Sequence, residues 1–125
     1  IDLGLEPRTQ LANRLNATAF VSIHANAISM SRPDVNGAET YYHTTGKALA
    51  ESIQRNIIAA TGMRDRGVKR ARFYVLRRAR MPSVLVEVGF VTGASDAPRL
   101  ADPAFRSTLA EAIARGILEY LQPGR

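Results

Sequence analysis

The sequence predicts an α/β domain with a twisted, largely parallel central sheet flanked by helices. Three observations carry this. Two short apolar runs rich in β-branched residues, Ala19–Ile23 and Ser83–Val88, read as buried strands. Between and after them lie segments whose apolar residues recur every four positions, the period of a helix face. Strands alternating with helices pack best as a sheet covered on both sides. The chain has 125 residues, with no repeat, no low-complexity tract and no Gly/Ser linker, so it is read as one domain.

Pro7 to Thr18 reads as the first helix. Pro7 suits a first helical turn, and Leu11 and Leu15 share a face. Ala19–Ile23 is the first strand. Ala27–Gly37 carries Ser, Pro, Asp, Asn and Gly, which is loop chemistry. Glu39–His43 is β-branched and aromatic and reads as a second strand. A helix from about Gly46 to Thr61 follows, striped by Leu49, Ile53 and Ile57, with Gly62 placed to end it. Phe73–Leu76 reads as a short strand and Ser83–Val88 as the most strand-like run in the chain. Asp102 and Pro103 start a last helix, with Phe105, Leu109, Ile113, Ile117 and Leu121 four residues apart.

Composition removes several classes. With no Cys, a disulfide scaffold, a thiolate metal site and a Cys nucleophile are all excluded. No apolar run approaches the ~20 residues that span a bilayer. No Gly-x-Ser-x-Gly elbow, phosphate-binding loop or Gly-x-Gly-x-x-Gly turn occurs. The formal net charge is +6, and the excess is local. Arg64, Arg66, Lys69, Arg70, Arg72, Arg77, Arg78 and Arg80 are opposed within their segment only by Asp65. Such a run either forms a solvated surface or attracts a polyanion: nucleic acid, anionic lipid or a wall polymer. No RNA-type aromatic signature or zinc-finger spacing accompanies it, so specific nucleic-acid readout has no support.

Few residues can do chemistry. His24 is one of two histidines and follows an apolar strand, at the end that faces ligands in α/β sheets. Alternation puts Phe20, Ser22 and His24 on one face, with Val21 and Ile23 on the other. A neutral imidazole there serves as a metal ligand, a proton shuttle or a strand cap. Glu87 stands inside Val84-Leu85-Val86-Glu87-Val88-Gly89-Phe90. A carboxylate in an apolar strand is costly unless paired or put to use, and burial raises its pKa toward the range of a general base. The plain alternative is an ion pair with an arginine. Glu39 begins the second strand and is read as bonding to loop amides. A metal trio of His24, Glu39 and His43 has no spacing rule behind it.

These segments together resemble a family. Leu11-Ala12-Asn13-Arg14, Phe20-Val21-Ser22-Ile23-His24-Ala25-Asn26-Ala27, Gly37-Ala38-Glu39-Thr40-Tyr41-Tyr42 and Pro82-Ser83-Val84-Leu85-Val86-Glu87-Val88-Gly89-Phe90 are similar, in order, to motifs of the zinc-dependent N-acetylmuramoyl-L-alanine amidases of type 3. The resemblance implies hydrolysis of the amide between N-acetylmuramic acid and L-alanine of the peptidoglycan stem peptide, outside the cytoplasmic membrane, in the periplasm or at the cell wall. It implies Zn²⁺ as cofactor, His24 as a zinc ligand and Glu87 as the catalytic glutamate. Asn26 and Glu39 then belong to the substrate cleft, and Arg70 and Arg72 border it. Family members carry two more zinc ligands, a His and a Glu, upstream of the first motif seen here. Residues 1–125 are therefore read as an amidase catalytic domain truncated at its N-terminus, lacking the first strands and prone to self-association. Some relatives insert a blocking helix after the metal histidine; the ten residues Ala27–Asn36 are too short for one. The competing readings are a metal-free module that binds cell wall without cleaving it, and a basic nucleic-acid-binding domain.

Overall fold

The computed structural model describes residues 5–122. Its elements run α1 (Leu5–Arg14), β1 (Phe20–Asn26), β2 (Ala38–Tyr42), α2 (Lys47–Thr61), β3 (Asp65–Arg70), α3 (Tyr74–Arg78), β4 (Ser83–Phe90), α4 (Asp96–Ala101) and α5 (Pro103–Leu121). The four strands form one sheet in the order β1-β4-β2-β3. β1 pairs parallel to β4, and β2 parallel to β3. The seam between β2 and β4 is antiparallel. The sheet is thus largely parallel, as the sequence predicts, with one reversal at its centre.

The helices follow their local signals. α2 ends at Gly62, whose φ of 65° is left-handed and whose N–H closes onto the Ile58 carbonyl. Asp102 caps α5 by accepting from the Ala104 N–H, and Pro103 occupies the first turn. α1 stops four residues before the predicted Thr18, where Asn16 turns to a φ of 50°.

The two faces of the sheet are covered unequally. On one, Val84 and Val86 of β4 meet Leu49, Ile53 and Ile57 of α2 and Leu109, Ala112 and Ile113 of α5. α2 and α5 approach closely at Gly116, where a Cβ would lie 2.6 Å from the Ile53 Cα. Gln54 ties α2 to the sheet: it accepts from the Thr40 hydroxyl and donates to the Ala38 carbonyl and to Asp65. On the other face, Val75 and Leu76 of α3 cover Leu85, flanked by Phe20 and Tyr41. That smaller cluster leaves the remainder of this face to polar residues.

One predicted element is corrected, and two elements appear that the sequence does not predict. Phe73–Leu76 is not a strand: Phe73 precedes helix α3 and its carbonyl accepts from the Leu76 and Arg77 amides. Adjacent Val75 and Leu76 must both reach Leu85, which a helix allows and strand alternation forbids. β3 lies inside the basic run and α4 follows β4; neither was expected. β3 holds one aliphatic residue, Val68, and exists because β2 offers it a pairing edge.

Because β4 sits between β1 and β2, residues 27–37 cross the ends of β1 and β4. Asp96, 2% exposed, fastens this crossing: its Oδ2 accepts from the Gly37 N–H at 2.7 Å and the Phe90 N–H at 2.9 Å. Asn36 Oδ1 accepts in return from the Ser95 and Asp96 amides. Asp96→Ala strands two amide donors and is expected to cost about 3 kcal/mol. Asp96→Asn, which keeps an acceptor, costs less. Urea unfolding of both variants checks the order.

Candidate functional site

Register places the chemistry. His24 of β1 lies opposite Glu87 of β4, and Glu87 lies opposite Glu39 of β2. Register partners share a sheet face, so the three side chains form one row across three strands. The row occupies the face that α3 covers only in part. The sequence alternation of Phe20, Ser22 and His24 is realised: the Ser22 hydroxyl and His24 Nε2 are hydrogen-bonded at 2.8 Å.

The two carboxylates have opposite surroundings. Glu39 is saturated. Its Oε1 accepts from the Tyr41 hydroxyl at 2.6 Å, its Oε2 accepts from Lys69 Nζ at 2.6 Å, and Arg66 Nε stands 3.5 Å from Oε2. Burial alone would raise its pKa, but the bonds from Lys69 and Tyr41 and the charges of Lys69 and Arg66 hold it below the ordinary value. Tyr41 is pushed up by its burial and by its bond to Glu39. Glu87 has none of this support. Its Oε2 is buried without a hydrogen-bond partner, and no ion pair reaches it among the described residues. Burial first, and the Glu39 charge second, raise its pKa from 4.5 to about 6. One carboxylate is held ionised while its neighbour stands near the pKa of a working base.

The remaining expected residues are placed as follows. Asn26 ends β1; its side-chain oxygen accepts from the Ala27 amide, and its carbonyl accepts from Val91. It shapes the turn beside the row. Arg70 pairs in register with Tyr42, on the face opposite Tyr41 and Lys69, and its Nε donates to the His43 carbonyl. Arg72 follows the end of β3 and is exposed. Neither arginine is brought to the row. The basic residues that do reach it are Lys69 and Arg66, the latter also lying over the Phe90 ring at 5.1 Å. Sequence reasoning missed both as site residues. The signal was Glu39, which is bound by side chains from β2 and β3 and not by the loop amides expected for it. His43 follows β2 at the far end of this antiparallel strand and bonds to Thr44, so the trio of His24, Glu39 and His43 is not assembled.

A zinc ion is the cofactor implied by the motifs. The row fits part of such a site: one imidazole, with a free carboxylate oxygen beside it. It does not fit the whole, because catalytic zinc takes three protein ligands. Among the described residues no three His, Cys, Asp or Glu come together as a metal-ligand set.

The fold and the row define an α/β domain whose sheet presents a histidine and a free carboxylate side by side, the equipment of a hydrolase. More narrowly, the chain belongs to the N-acetylmuramoyl-L-alanine amidase family, whose sequence profile matches residues 2–119. It is similar to the N-acetylmuramoyl-L-alanine amidase LytC of Bacillus subtilis, 48% identical over 122 residues, covering 94% of this chain and 24% of LytC. Among solved structures, the amidase AmiC2 of Nostoc punctiforme superimposes with a TM-score of 0.95 at 53% identity, covering 98% of this chain and 68% of that one. The catalytic domain of CwlV from Bacillus (Paenibacillus) polymyxa gives 0.89 at 41%, covering 97% and 67%. The chain thus spans about a quarter of LytC and about two thirds of these solved chains.

The raised pKa of Glu87 has a sign that stability measurements can read. The folded state holds the proton more tightly than the unfolded state, so the stabilising effect of that proton is complete below about pH 4.5 and lost as pH rises through about 6. In the presence of a chelator, the Tm of Glu87→Gln relative to wild type should therefore increase from pH 4 to pH 7. A constant difference across that window would contradict the placement of Glu87.

Proposed function

We propose that this chain forms the catalytic part of a peptidoglycan hydrolase that cleaves the amide between N-acetylmuramic acid and L-alanine of the stem peptide. The observation that carries this is the free, buried carboxylate oxygen of Glu87 set in register beside His24. A structural glutamate at this position would be paired, as Glu39 is.

In this reading Glu87 is the general base and acid. It takes a proton from the attacking water and returns it to the departing amine of L-alanine. Its pKa near 6 suits both transfers close to neutral pH. Glu39 stays ionised between Lys69 and Tyr41, and its charge keeps Glu87 basic. Asn26 holds the cleft edge. Zn²⁺ belongs to the reading with His24 as one ligand; when bound, zinc acidifies water to a pKa near 7 and polarises a carbonyl. The described residues do not complete its ligand set, so further ligands must come from elsewhere. The substrate places the activity at the cell wall, periplasmic or extracellular. No helix among the described residues is long and apolar enough to cross a membrane.

The test is release of the L-alanine amino group from purified peptidoglycan with zinc supplied. Glu87→Gln should lower the rate by about 10²–10⁴-fold, the usual worth of a positioned acid–base group. Unchanged release would sink the assignment. The incomplete ligand set favours one other reading, a wall-binding module without catalysis. Wild-type protein that pellets with peptidoglycan but releases no alanine would establish it.

Self-association is part of the proposal. β1 is an edge strand of the described sheet; Ile23 on it is 56% exposed, and Leu15 just before it is 70% exposed. Apolar side chains along an open edge favour pairing with another chain. Light scattering is expected to show species larger than a monomer, and a monodisperse monomer would count against it.

A further inference from the structure

A second polar hollow lies at the other end of the sheet, where β1 and β4 begin. Asn13, in the last turn of α1, builds it by bonding main chain on both sides of Ala79. Its Nδ2 donates to the Arg78 carbonyl at 3.0 Å, and its Oδ1 accepts from the Arg80 amide at 2.8 Å. This amide clamp holds α1 beside the end of α3. Between them is a cavity of about 240 Å³ lined by Thr9, Gln10, Asn13, Tyr74, Arg78 and Arg80. A neighbouring hollow of about 250 Å³ shares Gln10, Asn13 and Arg80 and adds Arg14. Among the described residues no acidic side chain lines either one.

The three guanidinium groups reach this place from three directions: the end of α1, the end of α3 and the segment before β4. Among the described residues none of them has an ion-pair partner. Three other arginines do have one: Arg32 pairs with Asp34, Arg55 with Glu119 and Arg66 with Glu39. The Arg78 guanidinium lies over the Tyr74 ring, 5.4 Å from its centroid, which orients the fork before any ligand arrives. Two planar forks, Arg78 and Arg80, line the first hollow, and two, Arg14 and Arg80, line the second. They match the several oxygens of a phosphate group.

We propose that these two adjoining hollows, lined by Arg78 and Arg80 and by Arg14 and Arg80, bind successive phosphate groups of a polyol-phosphate polymer, a phosphodiester chain without bases. The absence of bases is read from the lining: among the described residues Tyr74 is its one aromatic ring, and Arg78 already lies over a face of that ring, so no series of rings is offered for bases to stack on. The site is separate from the row described above. Glu87 lies four residues along β4 from Ser83, about 13 Å at about 3.3 Å per residue, and the hollow lies beyond the Ser83 end. A polymer held there leaves the row open. The inference does not rest on the hydrolytic reading and can fail or hold without it.

The test uses calorimetric titration at low salt with inorganic phosphate, a short glycerol-phosphate oligomer and an oligothymidylate of equal charge. The probes meet wild type, Arg78→Gln/Arg80→Gln and a control of matched charge loss, Lys47→Gln/Arg115→Gln. Because Asn13 bonds only main chain here, the Arg78 and Arg80 side chains can be replaced without breaking the clamp; a thermal melt verifies this. Wild type is expected to bind the glycerol-phosphate oligomer at least about ten-fold more tightly than phosphate. The Arg78/Arg80 variant should lose about ten-fold or more of that affinity and show a shallower salt dependence, while the control keeps it. Equal losses in both variants, no loss in either, or oligothymidylate binding as tightly as glycerol phosphate would each overturn the proposal. An oligomer that binds no more tightly than free phosphate would overturn the polymer assignment.

Discussion

Placing a carboxylate in the central strand is the constraint around which the rest of the molecule is arranged. β4 has neighbours on both sides and helices on both faces, so seven of its eight residues are buried and the eighth, Glu87, is only partly open. Such a strand is built for Val and Leu. A bare carboxylate in it must be neutralised, hydrogen-bonded or left strained toward its protonated form. The molecule takes the third course for Glu87. All the nearby positive charge goes to Glu39 instead.

That distribution follows from one antiparallel pairing. Reversing β2 against β4 brings Glu39 opposite Glu87, so two carboxylates meet in the middle of the sheet. Parallel β3 then supplies Lys69, and a register shift between Ala38 and Thr40 accompanies the approach of Arg66 from the same strand. Without these two cations and the Tyr41 hydroxyl, the pair would relieve its repulsion by protonating one member, and nothing would decide which. With them, Glu39 is fixed as the anion and Glu87 as the group whose proton is exchangeable. Asp96 does comparable work for the backbone, joining the amides of Gly37 and Phe90, which lie just before β2 and at the end of β4.

Much of this was legible in the sequence, for local reasons. Helices α2 and α5 carry their stripe and their caps within their own residues. Ser83–Phe90 announces both a buried strand and the anomaly within it. Ser22 and His24 share a face because they are two residues apart. What was not legible depends on partners distant in sequence. DRGVKR has one aliphatic residue and no period, and it becomes a strand only because β2 presents an edge. With β3 unread, Lys69 could not be distinguished from Arg70, although alternation sends one to Glu39 and the other to the opposite face. Phe73–Leu76 has the composition of a strand and is turned helical by packing of Val75 and Leu76 on Leu85. α4 is six residues long, too short for its pattern to stand out.

The arginine-rich run also resolves into separate jobs once it is folded. Arg66 and Lys69, from its first part, serve Glu39 of the row. Arg70 is spent on the His43 carbonyl. Its last part, Arg78 and Arg80, joined by Arg14 from α1, lines hollows with no acidic side chain among the described residues. A net charge of +6 is therefore a poor guide to where an anion would bind, because most of the cations nearest the row are already neutralised. The useful quantity is unpaired, oriented charge. By that measure the end of the sheet remote from Glu87 is the more attractive surface for a polyanion.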